Sequence, residues 1–247
     1  MNVQTNQTRF IPAMETSEGA GVTVHRTIGT SALRNYDPFM MLDYFSSDNP
    51  DDYIAGFPDH PHRGFITLTY MLDGHMLHQD SMGNKGDLLS GGAQWMKAAS
   101  GVIHSEMPQQ TEGMMRGFQL WINLPKRLKQ IDPQYQQVDA ADIPETMEDG
   151  VRIRHIVGTQ GKVVLQTPVI YQDIQISAGN NYTFSVPDNF SGLVYVVDGD
   201  LNHESQKLEN GKTLFFADVR EVSLQASNDS HLMLCMGAPH GEPIHQH

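Results

Sequence analysis

The stretch FITLTYMLDG, Phe65–Gly74, decides the fold class. Its β-branched and aromatic residues make a short apolar run that stops at Asp73-Gly74. Asp-Gly favours a tight hairpin turn because both residues tolerate positive φ. A second stretch, LVYVVDGD at Leu193–Asp200, follows the same plan and stops at Asp198-Gly199. Tyr70 and Tyr195 each stand four residues before the glycine. Each turn leads into a polar hairpin region and then a further strand set, opening at Gly86-Asp87 or Gly211-Lys212. Working outward, turn residues recur at Gly83-Asn84, Gly91-Gly92, Gly158, Gly179-Asn180 and Asn210-Gly211. Short apolar runs with such regular punctuation predict an all-β sandwich or barrel with little helix. The best helical spacing, Pro125–Ile131, is too short to anchor a helical fold. The weak internal repeat predicts two tandem copies of one β-barrel. Between them, Leu124–Gly150 carries Pro125, Pro133 and Pro144 with Asp142, Glu145, Glu148 and Asp149, and reads as an inter-domain connection. The expected boundaries are residues 1–130 for the first barrel, 131–149 for a linker, and 150–247 for the second barrel with an extended tail.

Composition narrows the function. The chain has 247 residues, of which 39% are hydrophobic and 18% charged, as in an ordinary globular protein. Sixteen Lys and Arg against 29 Asp and Glu give a net charge of −13. That balance lacks the basic footprint of direct nucleic-acid binding and disfavours anionic membranes. No apolar run approaches the ~20 residues needed to span a bilayer. Met1–Phe10 has no hydrophobic signal segment, so a cytoplasmic location is expected. A single cysteine, Cys235 in an apolar run, excludes an intrachain disulfide and a cysteine-rich zinc module. Chemistry must then rest on the 12 histidines and the carboxylates.

The motif FPDHPHRGF, Phe57–Phe65, places His60 and His62 one residue apart. Alternate residues of a strand share a face, so both imidazoles project together. Pro61 biases His60 toward an extended conformation and cannot donate a ladder hydrogen bond, which predicts a strand start or edge. The motif GVIHSEMP, Gly101–Pro108, repeats the spacing with His104 and Glu106. If the barrel brings these strands together, three imidazoles and one carboxylate converge. With a divalent metal the set carries a net charge of +1. This donor mixture suits Fe, Mn, Co, Ni, Cu or Zn rather than Ca or Mg. The second half is an internal control: VPDNFSG, before Val194, has no histidine, and His231 stands alone in what reads as the matching distal strand. One site is therefore expected, in the first barrel.

These residues resemble the pirin family of metal-binding bicupins. The likeness runs through DPFMMLDYF (Asp37–Phe45), GFPDHPHRGFITLTYMLDG (Gly56–Gly74), GDLLSGGAQWMKAASGVIHSEMP (Gly86–Pro108), GFQLWINLP (Gly117–Pro125) and PQYQQV (Pro133–Val138). It implies two tandem cupin jelly-roll barrels, with His60, His62, His104 and Glu106 as metal ligands and iron, as Fe(II), the expected metal. A general cupin has a Glu shortly after His-x-His, where this chain has Ile66 and Thr67; the Glu at 106 matches the pirin pattern. Longer pirins continue past the equivalent of GEPIHQ with a segment containing a helix, and partner contacts made by that segment are not expected here.

Several pirins are similar in activity to quercetin 2,3-dioxygenases. The resemblance therefore implies a flavonol substrate, with Glu106 accepting the 3-hydroxyl proton and ring cleavage releasing carbon monoxide. The alternative it implies is an iron-dependent, redox-sensing regulator that binds a transcription factor or metabolic enzyme without turnover; the charge of −13 would suit a basic protein partner. Around the motif, Phe57 reads as lining the pocket mouth and Arg63 as a substrate contact or a partner of Asp59. Asp43 reads as orienting a ligand imidazole by accepting its free N–H, or as a turn residue. Trp95 and Trp121 read as core anchors. Eleven of the 14 methionines precede residue 126 and read chiefly as core filling. His75 and His78, just past the Asp73-Gly74 turn, read as exposed. His25, His155, His203 and His231 read as structural or surface residues, and His240, His245 and His247 as adventitious metal binders in a tail.

Overall fold

The computed structural model describes residues 8–244. Its strands in the first half are β1 (Thr8–Pro12), β2 (Met14–Glu18), β3 (Val22–Ile28), β4 (Phe39–Ser47), β5 (Phe57–His62), β6 (Phe65–Asp73), β7 (His75–Asp80), β8 (Lys85–Leu89), β9 (Ala93–Lys97), β10 (Val102–Pro108), β11 (Met115–Asn123) and β12 (Gln134–Val138). The second half adds β13 (Glu145–Glu148), β14 (Val151–Val157), β15 (Val169–Ile176), β16 (Asn181–Ser185), β17 (Ser191–Asp198), β18 (Asp200–His203), β19 (Gln206–Glu209), β20 (Lys212–Ala217), β21 (Glu221–Ala226) and β22 (Ser230–Gly237). Helix among the described residues is limited to three 3₁₀ turns, one of them at Lys126–Leu128 where the helical spacing was best. Among the described residues, no helix is long and apolar enough to cross a membrane.

Two compact units result, each built from a seven-stranded and a four-stranded antiparallel sheet. The first has β12-β9-β6-β11-β4-β3-β2 over β5-β10-β7-β8; the second has β1-β20-β17-β22-β15-β14-β13 over β16-β21-β18-β19. The repeat foreseen from Phe65–Gly74 and Leu193–Asp200 is real, because β6 and β17 hold the same central place in their sheets. The turn glycines adopt the positive φ that their positions require, +112° at Gly74 and +85° at Gly199. Each unit closes around its own apolar interior. Val22, Phe45, Met71, Met76, Leu88 and Met115 pack together in the first, consistent with the methionines as core filling. Val194, Leu214, Phe216, Leu224, Leu232 and Leu234 do so in the second.

The expected boundaries are corrected at three places. Residues 8–13 belong with 144–239, because β1 pairs with β20 through Thr8↔Phe216 to Pro12↔Lys212. Residues 240–244 belong with the first unit: His240 Nε2 lies 3.0 Å from the Asn123 carbonyl, and the Gly241 amide donates to Asp37 (2.8 Å). His240 is thus engaged locally, whereas His245 and His247 lie outside the described residues. The stretch 131–149 is no free linker, since β12 pairs with β9 and β13 with β14. The physical reason is common to β1 and β12. Each supplies partners to a strand whose outer N–H and C=O groups would otherwise form an open sheet edge. Phe10 of β1 also packs on the second core, opposite Leu214. Phe10→Ala is expected to cost about 1–2 kcal/mol, less than the ~3–5 kcal/mol of a fully buried phenylalanine. Urea unfolding checks this, and an unchanged midpoint would show that β1 contributes no packing.

Candidate metal centre

β5 is the edge strand of its sheet, as Pro61 requires. Its register on β10 sets His62 opposite Val102 and His60 opposite His104. Among the described residues, His60, His62 and His104 form a group whose ligand atoms all lie within 4.8 Å of one another. His60 Nε2 and His62 Nε2 are 3.0 Å apart. His60 Nδ1 lies 2.7 Å from the Pro58 carbonyl, to which it donates; this leaves Nε2 as a lone pair. His104 Nε2 is buried and has no hydrogen-bond partner, the condition expected of a nitrogen waiting for a cation. Burial, followed by the neighbouring imidazoles, lowers His62 and His104 to about 3, so both rings are neutral and able to ligate at ordinary pH. The three nitrogens therefore fit a transition metal.

Glu106 lies outside that three-histidine group but on the same cavity. Its Oε1 accepts from Thr69 Oγ1 and Gln94 Nε2, each at 2.8 Å, and its Oε2 from Gln119 Nε2, also at 2.8 Å. Tyr135 in turn donates to Gln94 Oε1 (3.1 Å), which turns the amide so that its N–H₂ faces the carboxylate. The donors stand in one row across the large sheet, where Gln94, Thr69, Gln119 and Asp43 are successive cross-strand neighbours and Arg26 follows.

The second barrel shows what this row looks like without a site. Phe184 pairs with Val222 where His60 pairs with His104, and Leu224 stands at the place of Glu106. Val194, Leu214 and Leu234 occupy the places of Thr69, Gln94 and Gln119. All six are buried in the apolar core. By this topology the counterpart of β10 is β21, which corrects the reading of His231 on β22 as its match.

A cavity of about 430 Å³ opens onto His60, His62 and Glu106, walled by Met41, Phe45, Phe57 and Trp121, with Arg26, Asp43 and Glu18 on one side. Gly19, at φ +57°, lets the chain close on this mouth; a Cβ there would lie 2.6 Å from Phe57.

A model of the family described as Pirin matches residues 21–122, and one described as the Pirin C-terminal cupin domain matches 171–247. This chain belongs to the pirin family. A Pseudomonas aeruginosa protein with a provisional quercetin 2,3-dioxygenase name is 42% identical, over 94% of this chain and 86% of that protein. Human pirin is 36% identical, over 97% and 85%. A solved quercetin 2,3-dioxygenase from Acinetobacter baumannii superposes with a TM-score of 0.89 at 29% identity, covering 97% of this chain and 88% of that one. The two barrels are therefore cupins.

Several expectations change in this pirin. Phe57 lines the cavity. Arg63 points outward, one residue past the inward His62, and donates to Gln130 (3.2 Å), so it contacts neither the cavity nor Asp59. Asp43 serves no imidazole; Arg26 grips it with two bonds of 2.7 and 2.6 Å. Trp121 is cavity wall, stacked on Phe65 and edge-on to His62, whereas Trp95 is buried core. His78, expected at the surface, is instead 1% exposed and packs against His104. The sequence held a signal for it: His78 shares strand parity with the buried Met76.

The depressed histidines have a consequence for stability. In the unfolded chain these rings take up protons near 6.5, in the fold only near 3. Between those values the unfolded state binds more protons, so stability of the metal-free protein falls as pH falls, by about 1.4 kcal/mol per unit for each ring. Urea midpoints at pH 7, 6 and 5 are expected to decline, and less steeply in His104→Phe. Equal slopes in the two proteins would contradict the burial assignment.

Proposed function

We propose that the first barrel holds one divalent metal, Fe(II), on His60, His62, His104 and Glu106, and cleaves a flavonol of the quercetin type. The observation that carries this reading is the unpartnered His104 Nε2 beside two further imidazole nitrogens on an aromatic-walled cavity. The names of the Pseudomonas and Acinetobacter relatives support the substrate class. A metal there would supply Lewis-acid activation of the substrate hydroxyl and a redox centre for dioxygen.

The protein's own groups do the rest. Trp121, Phe45 and Phe57 offer flat apolar faces to a planar ring system. Glu106 takes the proton of the 3-hydroxyl, and its three donors keep the carboxylate aimed while it does so. Holding both reactants in one walled site lowers the entropic cost of their encounter. The balanced outcome is that one flavonol and one dioxygen yield a depside and one carbon monoxide.

The test is oxygen uptake with quercetin on protein reconstituted anaerobically with Fe(II). Turnover with carbon monoxide release is expected. In His62→Ala and His104→Ala, both turnover and stoichiometric metal binding are expected to vanish while the far-UV spectrum and melting remain those of a folded protein. Full metal content in both variants would refute the ligand set. One bound iron per chain without turnover would refute the dioxygenase reading in favour of a redox-sensing regulator. Such a regulator would offer a net charge of −13 to a basic protein partner.

A further inference from the structure

We propose that Asp80 and His78 are positioning residues that hold His104 in the tautomer presenting Nε2 to the histidine cluster. The proposal rests on the cluster being a metal centre, and it follows from which atoms can donate. A carboxylate only accepts hydrogen bonds. Asp80 Oδ2 lies 3.1 Å from His78 Nε2, so that nitrogen carries the proton. With its proton drawn to Nε2, His78 presents Nδ1 as the acceptor, and that atom lies 3.4 Å from His104 Nδ1. His104 Nδ1 must supply the proton between them, and its Nε2 is left as the lone pair. That Nε2 is the buried atom with no other partner.

The relay is built to stay in place. The side chains of His78 and Asp80 are 1% and 0% exposed. Asp80 Oδ1 accepts the backbone amides of Met82 (2.9 Å) and Asn84 (3.0 Å), and Asn84 Nδ2 reaches Oδ2 at 2.9 Å, so the turn after β7 is organised around this carboxylate. The His78 ring stacks on Tyr135, with centroids 4.4 Å apart and planes 16° from parallel. The second barrel again supplies the contrast. His203 occupies the His78 position of β18, but its Nδ1 lies 3.0 Å from the Ser223 carbonyl, and Val222 stands where His104 would be. A buried histidine is thus common to both barrels, and its link to a second imidazole belongs to the first alone.

The experiment reads the tautomer and the affinity separately. Long-range ¹H–¹⁵N spectra of the metal-free full chain are expected to show His104 protonated at Nδ1. In His78→Phe, which keeps a ring against Tyr135 but removes the acceptor, that signature should be lost and Co(II) affinity should fall about 10- to 100-fold. His78→Gln, whose amide oxygen can accept from Nδ1–H, should restore most of both. Asp80→Asn, which can offer an N–H to His78 Nε2, should reverse the relay and move the His104 proton to Nε2. An Nδ1-protonated His104 and unchanged Co(II) affinity in folded His78→Phe, or in folded Asp80→Asn, would overturn the proposal. Wild-type protein that binds no Co(II) while its His104 tautomer still follows His78 would overturn the metal reading and leave the relay standing.

Discussion

A carboxylate inside a β-barrel must be answered by donors, and the first barrel is arranged around that requirement. Glu106 projects from β10 into an apolar interior, where an unpartnered charge would cost several kcal/mol. Thr69, Gln94 and Gln119 meet it from the opposite sheet, at one level on three adjacent strands. Register enforces this, since a slip of one residue would turn all three donors outward. The second barrel keeps the same strands and register but has Val194, Leu214 and Leu234 at those places, with Leu224 for Glu106. One architecture therefore accommodates either a polar row under a charged group or a wholly apolar core. A mixture would leave buried groups unsatisfied.

The histidines depend on a different constraint, the sheet edge. Pro61 can sit only where no ladder donor is needed. It therefore places β5 at the rim, where His60 and His62 line the cavity. Across the small sheet, His104 is fixed by β7 through His78 and Asp80. The three imidazoles thus come from an edge that faces the cavity and an inner strand paired on both sides. A ligand can approach from the first while the second supplies rigidity.

Much of this is legible in the sequence because it is local. The turns, the two β-rich repeats, the His60/His62 pair and the His104/Glu106 pair all follow from period-two alternation and turn chemistry. The resemblance of FPDHPHRGF and HSEMP to pirin motifs pointed to the family that the chain proves to belong to. The failures are equally specific. Asp43 reads from the sequence as an imidazole partner or a turn residue, whereas in the fold Arg26 on the neighbouring strand holds it with two charge-assisted bonds. Arg63 reads as a substrate contact or a partner of Asp59, whereas in the fold it turns outward and donates to Gln130. His78 reads as a surface residue because it follows a hairpin turn, yet its side chain is buried.

The sequence by itself determined where strands begin and end and which residues share a face, because those depend on neighbours within a few positions. Only the tertiary structure decided which strand lies beside which. β1 crosses to the second unit and β12 completes the first because exposed edge groups take whichever strand reaches them, and nothing in Thr8–Pro12 or Gln134–Val138 encodes that choice locally. The donors beneath Glu106 and the Asp80–His78–His104 line are set in the same way. They are hydrogen bonds between residues far apart in the chain, and they exist only once the sheets have closed over them.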